Sequence, residues 1–394
     1  MIPQVVVLRQ RYVVPLLLAG VVGRIPSAIA ALAISLTLRD FGRSYSDIGL
    51  TLGVYACGLA IGGPLLGRLV DRRGQSTVLV ASSLVAAVGF LGIDLSRNDQ
   101  LGVLLATALA GLATPPLEPC LRALWPGLVG QEKLDAALSL DAAAQELIFI
   151  VGPLVVVGCV ALAGARTALW LAAALGVLGA AAFATTRPAR QWAPVVADRH
   201  WLGPLRNVGL LALFACLLCS GGSIGALNLV VVSYAERVSI TGGAGLLLAL
   251  NAAGALMGAM CYGLIRWRVD ARLRLLMFAA GMAVAYWSLV SVPGPSVMPA
   301  LMLVTGMFLA PLLAVAFSLV TRLAESAYVT EAFAWLVTMF TVGSAIGSPL
   351  AGSYIGGGVG GGAAVAATSA TLAAVCAAVA QTAWQPSVLS LVLE

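Results

Sequence analysis

Apolar residues run along this chain in stretches of about twenty, and charged residues gather in short bursts between them. No Asp, Glu, Lys or Arg occurs from Leu275 to Val320, or between Ala332 and Leu393. A helix needs ~20 apolar residues to cross the hydrocarbon of a bilayer. Twelve segments meet that length: Tyr12–Leu38, Ser46–Leu66, Thr77–Ile93, Leu101–Leu124, Ala137–Ala163, Thr167–Thr186, Asn207–Tyr234, Thr241–Ile265, Leu273–Val292, Val297–Val320, Glu331–Ile355 and Gly361–Trp384. Turn chemistry separates them, as at Pro293-Gly294-Pro295 and in the glycine run Gly356–Gly362. The first run is too long for a signal peptide, contains Arg24 and lacks a small-residue cleavage pattern, so it reads as a retained span.

Composition agrees with a membrane setting. With 22 basic and 16 acidic residues in 394 and a mean hydropathy of +1.02, the chain lacks the charge that solvates a soluble surface. Placing both termini in the cytoplasm puts sixteen basic residues on that side. Five lie opposite (Arg39, Arg43, Arg97, Arg166 and Arg237), and Arg24 falls inside a span. This satisfies the positive-inside rule with an even number of spans. The net charge of +6 is then topology and contact with anionic lipid headgroups, not a nucleic-acid footprint. The ratio of 21 Arg to 1 Lys suggests a GC-rich bacterial genome, hence a multi-pass protein of the bacterial cytoplasmic membrane.

The residue inventory excludes several chemistries. The single histidine, His200, and the single lysine, Lys133, both fall in loops, which excludes a zinc-protease helix motif, a P-loop and a retinal Schiff base. All seven cysteines sit within spans, and Cys216-x-x-Cys219 reads as small buried residues rather than a redox pair. We therefore expect no enzyme, no cofactor and no metal site.

The only long polar connection, residues 187–206, divides the spans six and six, giving halves at 1–186 and 207–394. An internal repeat crosses it. Gly62 and Gly67 match Gly258 and Gly263 at an offset of 196, Pro116 matches Pro311 at 195, and Pro153 matches Pro349 at 196. Asp135 then falls on Glu331. Two parallel six-span repeats form one of the transporter architectures, with the substrate site at mid-membrane. The expected fold is all-helical: twelve spans in two pseudo-symmetric six-helix bundles.

The segment Gly62-Gly63-Pro64-Leu65-Leu66-Gly67-Arg68-Leu69-Val70-Asp71-Arg72-Arg73-Gly74 resembles the motif between spans two and three of the major facilitator superfamily, with Gln75 where a second basic residue is usual. In the second half Leu264 and Trp267 replace Arg68 and Asp71. Gly152-Pro153 is similar to the glycine-proline motif of that family's drug/proton antiporters, although Ser139 and Ile148 stand at its upstream glycines. Thr107 stands where such antiporters often carry a basic residue in span four. The resemblance implies a cytoplasmic gate built on Gly62, Gly67, Arg68, Asp71, Arg72 and Gly74. In it Asp71 would face the N-terminus of span eleven, and Arg72 would pair with an acid from span four.

Ionisable residues inside spans cost ~2.5–3.5 kcal/mol at mid-helix on insertion scales and usually face a partner or a wet cavity. Arg24, Glu118, Arg122, Asp141 and Glu146 are the candidates, all in the first half. Their repeat partners Ser220, Leu313, Phe317 and Val342 (for Arg24, Glu118, Arg122 and Glu146) are uncharged. Arg24 lies ~18 Å and Glu146 ~14 Å from the cytoplasmic ends of their helices, so the two can meet near the midplane. Such a pair is either a static salt bridge or a proton-carrying site. Glu118, Arg122 and Asp141 lie nearer the gate.

Ser220, Asn228, Asn251 and Met307, with Arg24 and Glu146, are candidates for touching substrate; the amides and hydroxyls equally suit helix packing. The favoured expectation is a monomeric secondary transporter exporting small hydrophobic or amphipathic molecules against protons. A uniporter or symporter of a polar metabolite such as a sugar is the alternative. A non-transporting receptor or scaffold would call for a soluble domain or long tail, and ten residues follow the last span.

Overall fold

The structure, a computed structural model, describes residues 3–43, 45–192, 203–238, 243–265, 267–355 and 358–383. Within them all regular structure is helical, and twelve helices are long and apolar enough to cross a membrane. Spans one to six are Val13–Asp40, Leu50–Arg73, Gln75–Leu95, Gln100–Val129, Gln131–Ala163 and Arg166–Thr185. Spans seven to twelve are Val208–Ala235, Ala244–Leu264, Ala271–Val290, Met298–Leu323, Ser326–Ile355 and Val359–Gln381. Of the linker, Arg187–Gln191 is a short helix and Gly203–Arg206 a 3-10 turn; residues 193–202, with His200, lie outside the described residues, as does Arg266.

Two compact units emerge. The first holds residues 1–137, 144–200 and 325–338, and the second 138–143, 201–324 and 339–394. Residues 325–338, with the opening turns of span eleven, fall in the first unit, and residues 138–143 of span five fall in the second. In the first unit, Ile34 and Leu38 of span one, Phe90 and Ile93 of span three, and Ala172 of span six form one apolar cluster.

Two spans expected as continuous helices are broken. Span four divides into Gln100–Leu112 and Leu117–Val129, and span ten into Met298–Gly306 and Leu309–Leu323. In span four the cause is Pro115-Pro116: neither residue has an N–H to give the preceding turn. The Leu117 amide instead donates to the Pro115 carbonyl at 2.8 Å. By contrast Pro26, Pro64, Pro153 and Pro349 sit inside unbroken helices.

The sequence repeat reappears as a packing repeat. A Cβ at Gly62 would lie 2.2 Å from the Leu112 carbonyl oxygen, and one at Gly258 would lie 2.1 Å from that of Met307. A Cβ at Gly111 would lie 2.6 Å from the Tyr55 carbonyl oxygen, and one at Gly306 would lie 1.9 Å from that of Asn251. Each partner is displaced by 195 or 196 residues, so spans two and four of one unit dock as spans eight and ten do in the other. Only glycine permits backbones to approach this closely. The second unit adds another such seam: Cβ atoms at Gly221 and Gly225 of span seven would each lie 2.0 Å from a carbonyl oxygen, of Phe340 and Ser344 respectively.

Candidate functional site

The motif expected between spans two and three is helical. Span two continues to Arg73, and the chain turns only at Gly74, whose φ of +91° favours glycine. Gly67 faces span eleven closely: a Cβ there would lie 3.0 Å from Ala334 Cβ and 3.1 Å from Glu331 Cα. That approach brings Arg68 and Asp71, one helical turn apart, onto the start of the helix beginning at Val329.

Asp71 is 3% exposed and accepts two backbone hydrogen bonds, from Thr330 N to Oδ1 (3.2 Å) and from Glu331 N to Oδ2 (2.8 Å). A helix begins with N–H groups that have no partner within it, and together with the dipole they favour a negative charge there. Asp71 fills the place of an N-cap from another span. Beside it Arg68 makes a two-pronged ion pair with buried Glu331, Nε to Oε2 at 3.1 Å and Nη2 to Oε1 at 2.6 Å. This geometry matches guanidinium to carboxylate. Glu331, noted in the sequence only as the repeat partner of Asp135, is thus a member of the cluster.

Two details of the gate differ from expectation. Arg72 is exposed and does not pair with an acid of span four; Glu118 is bound instead by Arg122, on its own helix. The i,i+4 spacing puts those two on one face, so the partner closest in sequence wins. Gln75, which replaces a basic residue of the motif, is fully buried and donates from Nε2 to the Cys120 carbonyl at 3.1 Å. An uncharged amide suits that enclosed position better than a cation would.

In mid-span, Arg24 is 5% exposed and donates from Nε to the Gly20 carbonyl (3.1 Å) and from Nη1 to Gln145 Oε1 (3.2 Å). The expected partner, Glu146, accepts neither bond. Helix phase explains the substitution. Gly152 packs on Ala28 of span one, where a Cβ on the glycine would lie 2.9 Å from Ala28 Cβ, and Gln145 lies seven residues earlier on the same face. Glu146 is turned ~100° away and is half-buried. Asp141 is fully buried and belongs to the second unit.

The polar candidates of the second half are mostly committed to packing. Ser220 donates to the Cys216 carbonyl (2.8 Å) and Ser223 to that of Ser220 (2.7 Å). Asn251 donates to the Met302 carbonyl (3.1 Å) and to Thr305 Oγ1 (3.0 Å), joining span eight to span ten above its break. Met307 is half-buried, and Asn228 is exposed.

Where the second copy of the gate motif has Leu264 and Trp267 in place of Arg68 and Asp71, an aromatic cluster has formed. Trp267 stacks on Tyr262 with centroids 5.2 Å apart, Phe278 meets both edge-on, and Arg274 lies 5.7 Å from the Tyr262 centroid. Another group escaped the sequence reading: Asp94, 9% exposed at the end of span three, accepts from Trp170 Nε1 at 3.0 Å. The unequal i,i+76 spacing gave no hint of it.

Twelve spans, a repeated docking pattern, and a span-two motif set on the start of span eleven define a multi-pass membrane transporter. The chain belongs to the Major Facilitator Superfamily, whose family model matches residues 16–305. A triacylglyceride transporter of Mycobacteroides abscessus is 28% identical over 181 residues, 45% of this chain and 35% of that protein, so the match spans about a third of the relative's length. Among solved structures, a bacterial homologue of the iron transporter ferroportin, in an outward-facing state, superposes with a TM-score of 0.78 at 14% identity, covering 94% of this chain and 99% of that one. The E. coli fucose:proton symporter gives 0.74 at 16% identity with the same coverage. At these identities the likeness is one of fold. The fold supports secondary transport by alternating access, with small-molecule cargo and a lipid environment.

Proposed function

We propose that this transporter exports hydrophobic or amphipathic molecules in exchange for protons. The observation that carries this reading is the contrast between the units. In the second, Ser220, Ser223 and Asn251 are already bonded within the protein, which leaves an apolar wall poorly suited to a sugar. In the first, Glu146 sits in mid-span outside the bonds that hold Arg24. A carboxyl so placed is the natural carrier of a proton between two aqueous sides. The name of the M. abscessus relative, a triacylglyceride transporter, favours lipid-like cargo over a polar metabolite.

In this reading Asp71, Arg68 and Glu331 hold the cytoplasmic side shut and release it once per cycle. Glu118–Arg122 and Asp141 support the gate side rather than carry the proton. The test is reconstitution into liposomes with an imposed pH gradient. Glu146→Gln should abolish uphill movement of a fluorescent amphiphile while exchange at equal pH persists, because an amide keeps the shape but cannot cycle a proton. Uphill transport by that variant would move the role to Glu118 or Asp141.

A further inference from the structure

Span five is the least covered of the twelve. Only 17% of the residues in its most apolar stretch are buried, against 28% or more in every other span. The exposure follows helix phase within the first unit. Ile148, Gly152 and Val156 are buried, whereas Ile150, Pro153, Val157 and Val160 are exposed, at spacings that form one strip. Glu146 stands at the head of this strip, four residues before Ile150. From Glu146 to Val160 the strip is ~21 Å long. No Asp, Glu, Lys, Arg, Asn, Gln, Ser or Thr occurs from Leu147 to Ala163.

An ionised carboxylate only accepts hydrogen bonds. Bilayer tails offer it no donor, and a charge without a partner is costly at this depth. Span one, which packs on span five at Ala28 and Gly152, carries Arg24, and that guanidinium is held by Gly20 and Gln145. Apart from Glu146, residues 144–163 of span five carry no charge.

Resting on the proposed export function, we propose that this strip of span five binds the cargo, an uncharged acyl lipid bearing a free hydroxyl, with its chain along Ile150–Pro153–Val157 and its hydroxyl donating to Glu146. A single polar group at one end of a long apolar strip matches a molecule with one donor head and a long tail. The bond is charge-assisted, and protonating the carboxylate removes its strongest acceptor. Proton and lipid then compete for one group, the coupling that an exchanger requires.

The test is photolabelling of the full-length protein in lipid nanodiscs with a diacylglycerol carrying a diazirine on its acyl chain, followed by peptide mapping. Labelling within residues 146–157 should saturate and be displaced by unlabelled diacylglycerol. It should resist a triacylglycerol, which has no hydroxyl, and a quaternary-ammonium amphiphile, which has charge but no N–H or O–H donor. The exposed face of span three at Leu84 and Val88 should label without saturation. Glu146→Gln should weaken the apparent affinity about tenfold, the difference between a charge-assisted and a neutral hydrogen bond. Glu146→Asp, which keeps the carboxylate, should retain most of the affinity. Melting curves matching the parent's identify variants that fold.

Non-saturable labelling of span five, equal displacement by the ammonium amphiphile or triacylglycerol, or equal weakening by the Asp and Gln variants would overturn the assignment. Labelling needs no pH gradient. Its failure therefore removes the docking strip and leaves the export reading standing, whereas saturable labelling without gradient-driven transport does the reverse.

Discussion

Asp71→Asn is the sharpest probe of the contact between span two and span eleven. The native carboxylate accepts two backbone N–H bonds, at 3.2 and 2.8 Å, from the first turn of the helix. Hydrogen bonds to a charged group are worth about 1.5–3 kcal/mol each. Asparagine keeps one acceptor oxygen, aims an NH2 at the other amide, and loses its attraction to the helix dipole. A net loss of about 2–3 kcal/mol from the closed contact follows, which is about a 30- to 150-fold shift toward the open one. Thr338, 7% exposed, reports it: its hydroxyl oxygen would lie 3.3 Å from a Cβ at Gly63, beneath the contact. With the seven native cysteines replaced, a Thr338→Cys probe should react with a water-soluble maleimide faster in the Asp71→Asn background by that factor, if labelling follows the open population. Equal rates in mutant and parent would refute the reasoning.

Gly306→Ala puts a methyl 1.9 Å from the Asn251 carbonyl oxygen and should lower the melting temperature strongly, whereas Gly53→Ala, with open space around it, should leave it unchanged or raised. Gln145→Leu removes a bond from buried Arg24 and should destabilise the fold by about 1–3 kcal/mol, measured by denaturant or thermal unfolding; full stability would mean that the bond contributes nothing. Trp267→Leu should lower stability by about 0.5–2 kcal/mol through loss of the stacking and cation–π contacts, with recovery in Trp267→Phe; a neutral Leu variant would show the cluster to be incidental.

The spans were legible in the sequence because a bilayer demands ~20 apolar residues whatever their neighbours are. The docking glycines were legible as a numerical repeat, since both halves solve the same backbone approach. What resisted reading was helix phase. Gln145 and Glu146 are adjacent, and only the placement of Gly152 against Ala28 decides which of them faces Arg24. A search for charges passes over an amide. Arg72 illustrates a related limit: a pairing carried over by resemblance gave way to a local i,i+4 partner for Glu118. The break in span four was visible as Pro115-Pro116, but Pro26, Pro64, Pro153 and Pro349 lie inside unbroken helices, so proline alone did not announce it.

The glycine seams also bear on how far such a chain can drift. The contact at Gly62 is made with a main-chain oxygen of Leu112, and its counterpart at Gly258 with that of Met307. Tyr55 and Asn251 share nothing as side chains, yet each offers a carbonyl to the same glycine of its own half. A seam of this kind constrains one side of the contact to have no side chain and leaves the identity of the other nearly free. Random substitution would therefore be tolerated very unevenly: a few glycines would behave as fixed points, and the residues whose carbonyls they touch could wander. Divergence under that rule erodes sequence identity much faster than shape, and a library mutagenised across spans two, four, eight and ten should record it directly.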